Sequence, residues 1–151
     1  MAVGVDTTFL IQLEILEANG HKRACAFLDQ QILQRGESLA LAPQVLAEFI
    51  HIVTDAHRFA SPLAMASALQ RSEFWWEASE VQPVFPNRHS VRLFLQWMSK
   101  HHLGRKRILD TMLAATYVAH GIHTIISSNT RDYSVYQEIE AIDPTLQGGV
   151  L

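Results

Sequence analysis

Along this chain, short apolar runs alternate with longer stretches in which apolar residues recur every three or four positions. A short run bounded by turn residues predicts a strand, whereas the three-to-four period predicts an amphipathic helix. Strands are expected at Val3 to Asp6, Leu39 to Ala42, Val81 to Phe85, Ile122 to Ser127 and Glu140 to Ile142. Helices are expected from Thr8 to Asn19, where Asn19-Gly20 stops the pattern, and from His21 to Arg35, where Gly36 turns the chain. Pro43 suits a first helical position and leads into a helix from Gln44 to Asp55. Three further helices run from Ser61-Pro62 through Ala78, from Arg88 to His102 before Gly104, and from Ile108 to His120 before Gly121. Alternation of this kind predicts an α/β fold with a parallel sheet and helices on both of its faces.

Asp6, Glu48, Asp110 and the Asn129/Asp132 pair interrupt this pattern. Asp6 ends the run Ala2-Val3-Gly4-Val5, Glu48 sits between Ala47 and Phe49-Ile50, Asp110 follows Ile108-Leu109, and Asn129 follows Ile125-Ile126-Ser127-Ser128. Unpaired charge in apolar surroundings costs several kcal/mol, roughly, and a divalent cation is among the few partners that offset several carboxylates at once. In a parallel sheet, ligands bind in the crevice outside the carboxyl ends of the strands, which is where Asp6 and Asn129 fall and where Glu48 and Asp110 can aim. The donors are all oxygens, which favours Mg²⁺ or Mn²⁺ over zinc. Taken singly, Asp6 and Asp110 also suit helix N-caps, Glu48 a solvent-facing position and Asp132 a turn.

Composition narrows the picture. A chain of 151 residues with no linker-like stretch is expected to form one domain spanning 1–151. No apolar stretch approaches the ~20 residues of a membrane span, and Met1 to Asp6 carries no basic lead into an apolar signal core, so a soluble, cytoplasmic protein without membrane contact is expected. A net charge of −3 excludes non-specific coating of nucleic acid, which needs many Lys and Arg contacts, so any such contact must be local. The one basic cluster is Lys100-His101-His102-Leu103-Gly104-Arg105-Lys106-Arg107, directly before Asp110. It is either a solvated loop or a grip on phosphates, with Lys100, Arg105, Lys106 and Arg107 as the candidate phosphate contacts. The single cysteine, Cys25, excludes an internal disulfide and is expected as a small buried side chain.

Asp6-Thr7-Thr8, Val45-Leu46-Ala47-Glu48-Phe49, Ile108-Leu109-Asp110-Thr111-Met112-Leu113-Ala114-Ala115-Thr116 and Ile125-Ile126-Ser127-Ser128-Asn129-Thr130-Arg131-Asp132-Tyr133 resemble, in order, the four motifs of PIN-domain ribonucleases. The resemblance covers almost the whole chain and is closest to the toxins of VapC-type toxin-antitoxin modules. It implies a three-layer αβα sandwich, a Mg²⁺- or Mn²⁺-dependent endonuclease acting on RNA, homodimerisation, and a cognate antitoxin as partner. Asp6, Glu48, Asp110 and Asp132 are then the catalytic acids. The metal ligands are drawn from Asp6, Glu48, Asp110, Asn129 and Asp132, and Thr7 and Ser127 orient carboxylates and waters. Phosphodiester hydrolysis would follow from a cation that polarises the phosphoryl oxygen and activates water.

Many relatives carry an aspartate where this chain has Asn129, a neutral donor that binds a hard cation more weakly. Asp132 is the nearest acid able to restore the charge, so the fourth ligand is either of the two. Asn129 also keeps open a catalytically weak or inactive RNA- or protein-binding module, and another Rossmann-like metal phosphohydrolase is a further alternative. The aromatic run Phe74-Trp75-Trp76 suits core packing or a groove for a dimer or antitoxin partner. Trp97 and Met98 are expected in the core.

Overall fold

The computed structural model describes residues 1–146 and 149–151. Five strands, β1 (Ala2–Val5), β2 (Ser38–Leu41), β3 (Val81–Pro83), β4 (Thr124–Ile126) and β5 (Glu140–Ile142), form one all-parallel sheet in the order β3-β2-β1-β4-β5. Helices α1 (Thr7–Glu14), α2 (His21–Phe27), α3 (Pro43–Val53) and α4 (Met65–Glu77) connect β1 to β2 and β2 to β3. Helices α5 (Arg88–Lys100) and α6 (Ile108–Ala119) then carry the chain back to β4, and the short α7 (Thr130–Tyr133) leads to β5. Contacts divide the helices accordingly: α1 packs with α2 and α3, and α3 with α4, while α6 packs with α5 and α7. This is the three-layer αβα arrangement expected of a parallel sheet. No helix among the described residues is long and apolar enough to cross a membrane.

Leaving β1, the chain moves outward to β2 and β3 and then returns to β4 on the other flank of β1. The strand order therefore reverses between β1 and β4, the point where such sheets open a crevice. The core beneath it is dense. Gly4 in β1 has no side chain because the Tyr117 ring of α6 lies against it; a Cβ there would sit 2.7 Å from the ring. The Tyr117 hydroxyl donates to the Val5 carbonyl at 2.6 Å and ties α6 to the residue before Asp6.

Element boundaries depart from the sequence pattern where distant contacts intervene. α1 stops at Glu14, short of Asn19, because Arg71 of α4 donates to the Glu14 carbonyl at 3.2 Å and Ile15 turns extended. α4 begins at Met65, after Ser61-Pro62, because the Leu63 amide bonds the Val53 carbonyl at the end of α3. The segment after α2 continues as a π-helix over Leu28–Leu33. The left-handed step closing α5 falls on His102 (φ 50°), ahead of Gly104, which lets the Leu103 amide reach back to the Met98 carbonyl. β4 begins at Thr124, two residues later than the apolar run.

Cys25 is half-buried, not enclosed as expected, because its helix packs on one side only. In the aromatic run, Trp75 is buried and donates to Glu14 at 2.8 Å, Trp76 meets Phe85 edge-to-face, and Phe74 is 66% exposed. Trp97 is buried and Met98 half-buried.

Candidate active site

Asp6 is the first residue beyond β1 and is 5% exposed. Its amide bonds the Ile126 carbonyl of β4, and the Ser127 amide bonds the Ile142 carbonyl, so sheet pairing sets the ends of β1 and β4 side by side. Asp6 is also the N-cap of α1: Oδ1 accepts the Thr7 amide at 2.9 Å. Oδ2 accepts the Ser127 hydroxyl at 2.6 Å and the Thr8 hydroxyl at 3.3 Å. Capping and site roles thus coincide in one carboxylate. Ser127 also receives the Asn129 amide at 3.0 Å, linking Asp6 to the chain that leaves β4.

The other acids arrive from separate elements. Glu48 lies mid-way along α3, exposed, and its Oε2 accepts the Thr7 hydroxyl at 3.0 Å. Asp110 lies in the first turn of α6, half-buried; the N-cap there is Arg107, so Asp110 does not cap its helix. Asp6, Glu48, Asp110 and Asn129 line one cleft of about 520 Å³. Asp132, half-buried in α7, lies outside that lining but close enough to act on Asp110 by its charge.

The electrostatics follow from this placement. Burial, then the negative charges of Asp6, Asp132 and Glu48, push the Asp110 carboxyl up to about 6, against a smaller opposing pull from Arg107. Burial also raises the Asp6 carboxyl, and the Ser127, Thr7 and Thr8 donors counter it in part, as does the Tyr133 hydroxyl, which lies near the carboxylate but outside good hydrogen-bonding geometry. The ion pairs among the described residues, Met1–Glu37, Arg58–Asp55 and Arg71–Glu14, involve none of these four acids. Nor, among the described residues, do three His, Cys, Asp or Glu side chains draw close enough to clasp one ion together. The acids face one another across a cleft and leave their negative charge largely unpaired.

The basic cluster divides. Lys100, Arg105 and Lys106 are exposed, with Arg105–Arg107 forming a 3-10 turn. Arg107 is turned inward, its guanidinium donating to the Asp132 carbonyl. It therefore braces α7 and is half-buried, unlike its exposed neighbours. Two residues, one in the cleft lining and one behind it, had no role in the sequence reading. Arg58, beyond α3, lines the cleft beside Phe59 and pairs with Asp55 at 3.6 Å. Tyr133 is buried, and its hydroxyl meets no acceptor in hydrogen-bonding geometry.

The sequence profile described as PIN domain matches residues 3–138. No curated protein sequence matches the chain. Among solved structures, VapBC-1 from nontypeable Haemophilus influenzae superposes with a TM-score of 0.68 at 18% identity, covering 97% of this chain and 100% of that one. VapC20 from Mycobacterium tuberculosis, named a sarcin-ricin loop cleaving toxin, gives 0.69 at 14% identity, with 91% and 98% covered. A toxin-antitoxin complex from Klebsiella pneumoniae gives 0.62 at 15% identity, with 94% and 97% covered.

Proposed function

The chain belongs to the PIN-domain family, and from that premise we propose that it is a Mg²⁺- or Mn²⁺-dependent endoribonuclease, the toxin of a toxin-antitoxin pair. The observation that carries the reading is the cleft itself, where Asp6, Glu48 and Asp110 meet from three separate elements, and where burial, then the charges of Asp6, Asp132 and Glu48, raise the Asp110 pKa to about 6, with no ion pair to any of them among the described residues. Charge so arranged is costly unless a ligand offsets it. The donor set fits a hard divalent cation: the candidate groups are oxygens throughout. The buried Tyr133 hydroxyl, beside Asp6 but outside good hydrogen-bonding geometry, also fits a site completed on loading.

In this reading Asp6, Glu48 and Asp110 hold the cation, with Asn129 or Asp132 as a fourth donor. A cation bound there supplies the positive charge that polarises a phosphoryl oxygen and acidifies an attacking water. Ser127 and Thr8 hold the Asp6 carboxylate, and Thr7 holds Glu48. Arg58 at the cleft and the exposed Arg105, Lys106 and Lys100 hold the RNA phosphates on either side of the cut. The naming of one structural neighbour as a sarcin-ricin loop cleaving toxin supports RNA as the substrate class, and that of another as a toxin-antitoxin complex supports an antitoxin partner. The reading includes a homodimer and a cytoplasmic location, where RNA is at hand.

The test is cleavage of a mixed RNA substrate by the purified protein. Cleavage is expected with Mg²⁺ or Mn²⁺ and none in excess EDTA; full activity in EDTA would sink the metal mechanism. The neutral Asn129 is the one feature favouring a binding module without catalysis, and cation binding without cleavage would decide for it.

A further inference from the structure

Tyr133 ends α7, three residues inward of the helix start at Thr130, and is among the largest fully buried side chains at 1% exposed. Its ring fills space that a phenylalanine would fill equally well. Its hydroxyl, however, lies beside the Asp6 carboxylate without reaching it in good hydrogen-bonding geometry. A buried hydroxyl left unpaired is unfavourable, so one that is present calls for a partner in some state of the protein. The groups it faces are two carboxyls, Asp6 and Asp110. Of the two, Asp110 is half-exposed, and water competes for its oxygens. Asp6 is buried, and its hydrogen bonds are uneven: Ser127 at 2.6 Å and the Thr7 amide at 2.9 Å are strong, and Thr8 at 3.3 Å is weak. A carboxylate accepts about four such bonds, so with Tyr133 in place of the weak Thr8 contact Asp6 still keeps one position for a cation.

We propose that Tyr133 is a positioning residue for the cation site: in the loaded protein its hydroxyl donates to the Asp6 carboxylate, joins Ser127 on that group, and fixes the orientation in which Asp6 meets the cation. This rests on the metal-site reading given above. Groups that orient a ligand from behind typically change cation affinity about 10- to 100-fold when removed. They do so without touching the cation.

The experiment compares the parent with Tyr133→Phe for Mn²⁺ affinity by calorimetry and for thermal unfolding, in EDTA and at saturating Mn²⁺. Phenylalanine keeps the packing and removes the unpaired hydroxyl, so the variant is expected to unfold in EDTA at the parent's temperature or above it. Its Mn²⁺ affinity is expected to fall about tenfold or more. Its gain in unfolding temperature on adding Mn²⁺ should shrink in step. That gain is measured within each protein, so it remains informative if the variant's metal-free stability shifts. A merely structural tyrosine would give the opposite pattern, lower stability in EDTA with an unchanged Mn²⁺ affinity, and that result would overturn the assignment. Equal Mn²⁺ affinity in both proteins overturns it while leaving the cation site intact. A parent that binds no Mn²⁺ overturns the cation site and this role together.

Discussion

Two hydroxyl-rich networks flank the start of α6, and they are finished to different degrees. Around Tyr136 the partners are neutral or apolar: Trp97 stacks on the ring at 4.7 Å, His101 approaches edge-on, the Thr111 hydroxyl meets the phenol, and Thr111 also donates to the Arg107 carbonyl at 2.5 Å. Arg107 extends that network to the Asp132 carbonyl, and only its Nε is left over. Around Asp6 the same residue types, Ser127, Thr7, Thr8 and Tyr133, converge on a carboxylate that faces other carboxylates. One hydroxyl there stays unpaired, and two acids are pushed toward protonation. The first network spends its hydrogen bonds on holding α5, α6 and α7 together. The second leaves negative charge over, and on that excess the proposed role as a cation site rests.

The sharpest way to break this comparison is to delete one element from each side. Trp97→Ala removes the stacking partner of Tyr136 from the core and should destabilise the protein by about 3–5 kcal/mol, measured by denaturant unfolding. Asp110→Asn keeps the shape and removes one negative charge. It should cost at least ~10²-fold in the rate of RNA cleavage if the cation carries catalysis, while leaving metal-free stability at neutral pH equal or higher. A fully active Asp110→Asn protein, or one as unstable as Trp97→Ala, would erase the distinction between the two networks.

A finer test concerns the join between them, where Asp132 gives its carbonyl to Arg107 and its charge to Asp110. If Asp132 completes the cation site, Asp132→Asn should weaken Mn²⁺ binding about tenfold or more, while Asn129→Asp, which adds a carboxylate to the cleft lining, should preserve or tighten it. Calorimetry on both variants decides. Parent-like binding by Asp132→Asn would assign that residue to the structural network and leave the fourth donor to Asn129.

What could be read from the sequence divides along similar lines. The strands were legible because runs such as Leu39-Ala40-Leu41-Ala42 are apolar on both faces, as a sheet covered by helices requires. Asp6, Glu48 and Asp110 were legible because a carboxylate next to such runs breaks the pattern, and a broken pattern needs a cause. Helix ends at Glu14 and Met65 were not, since they are set by Arg71 and by the Val53 carbonyl, contacts that no local periodicity encodes. Tyr133 escaped notice because a buried aromatic conforms to the core pattern, and only the fold shows that its hydroxyl is unpaired. The inward turn of Arg107 was not legible for the converse reason. Its neighbours Arg105 and Lys106 are exposed, and nothing in a run of like charges tells which one folds inward.

The smallest effect expected is the pH dependence of metal-free stability, and its sign is fixed by the direction of the shifts. The Asp110 carboxyl rises from an ordinary 3.8 to about 6 in the folded protein. Between those values the unfolded chain has lost the proton and the folded protein keeps it, so stability falls as pH rises from about 4 to 6. Asp6, also raised, acts in the same direction. Because Asp110 is only partly buried, the loss is on the order of 1 kcal/mol after allowance for solvent screening. In EDTA the unfolding temperature should therefore drop by a few degrees on going from about pH 4.5 to 7. The Tyr136 network holds no side-chain carboxyl, so the part of the slope that Asp110→Asn removes belongs to the acid cleft. Asp110→Asn should flatten it. Saturating Mn²⁺ should oppose it, because the cation binds carboxylates that have released their protons. Identical slopes in the parent and in Asp110→Asn would mean that Asp110 does not share its charge with Asp6, Glu48 and Asp132, and the cleft would lose the crowding on which its reading as a cation site depends.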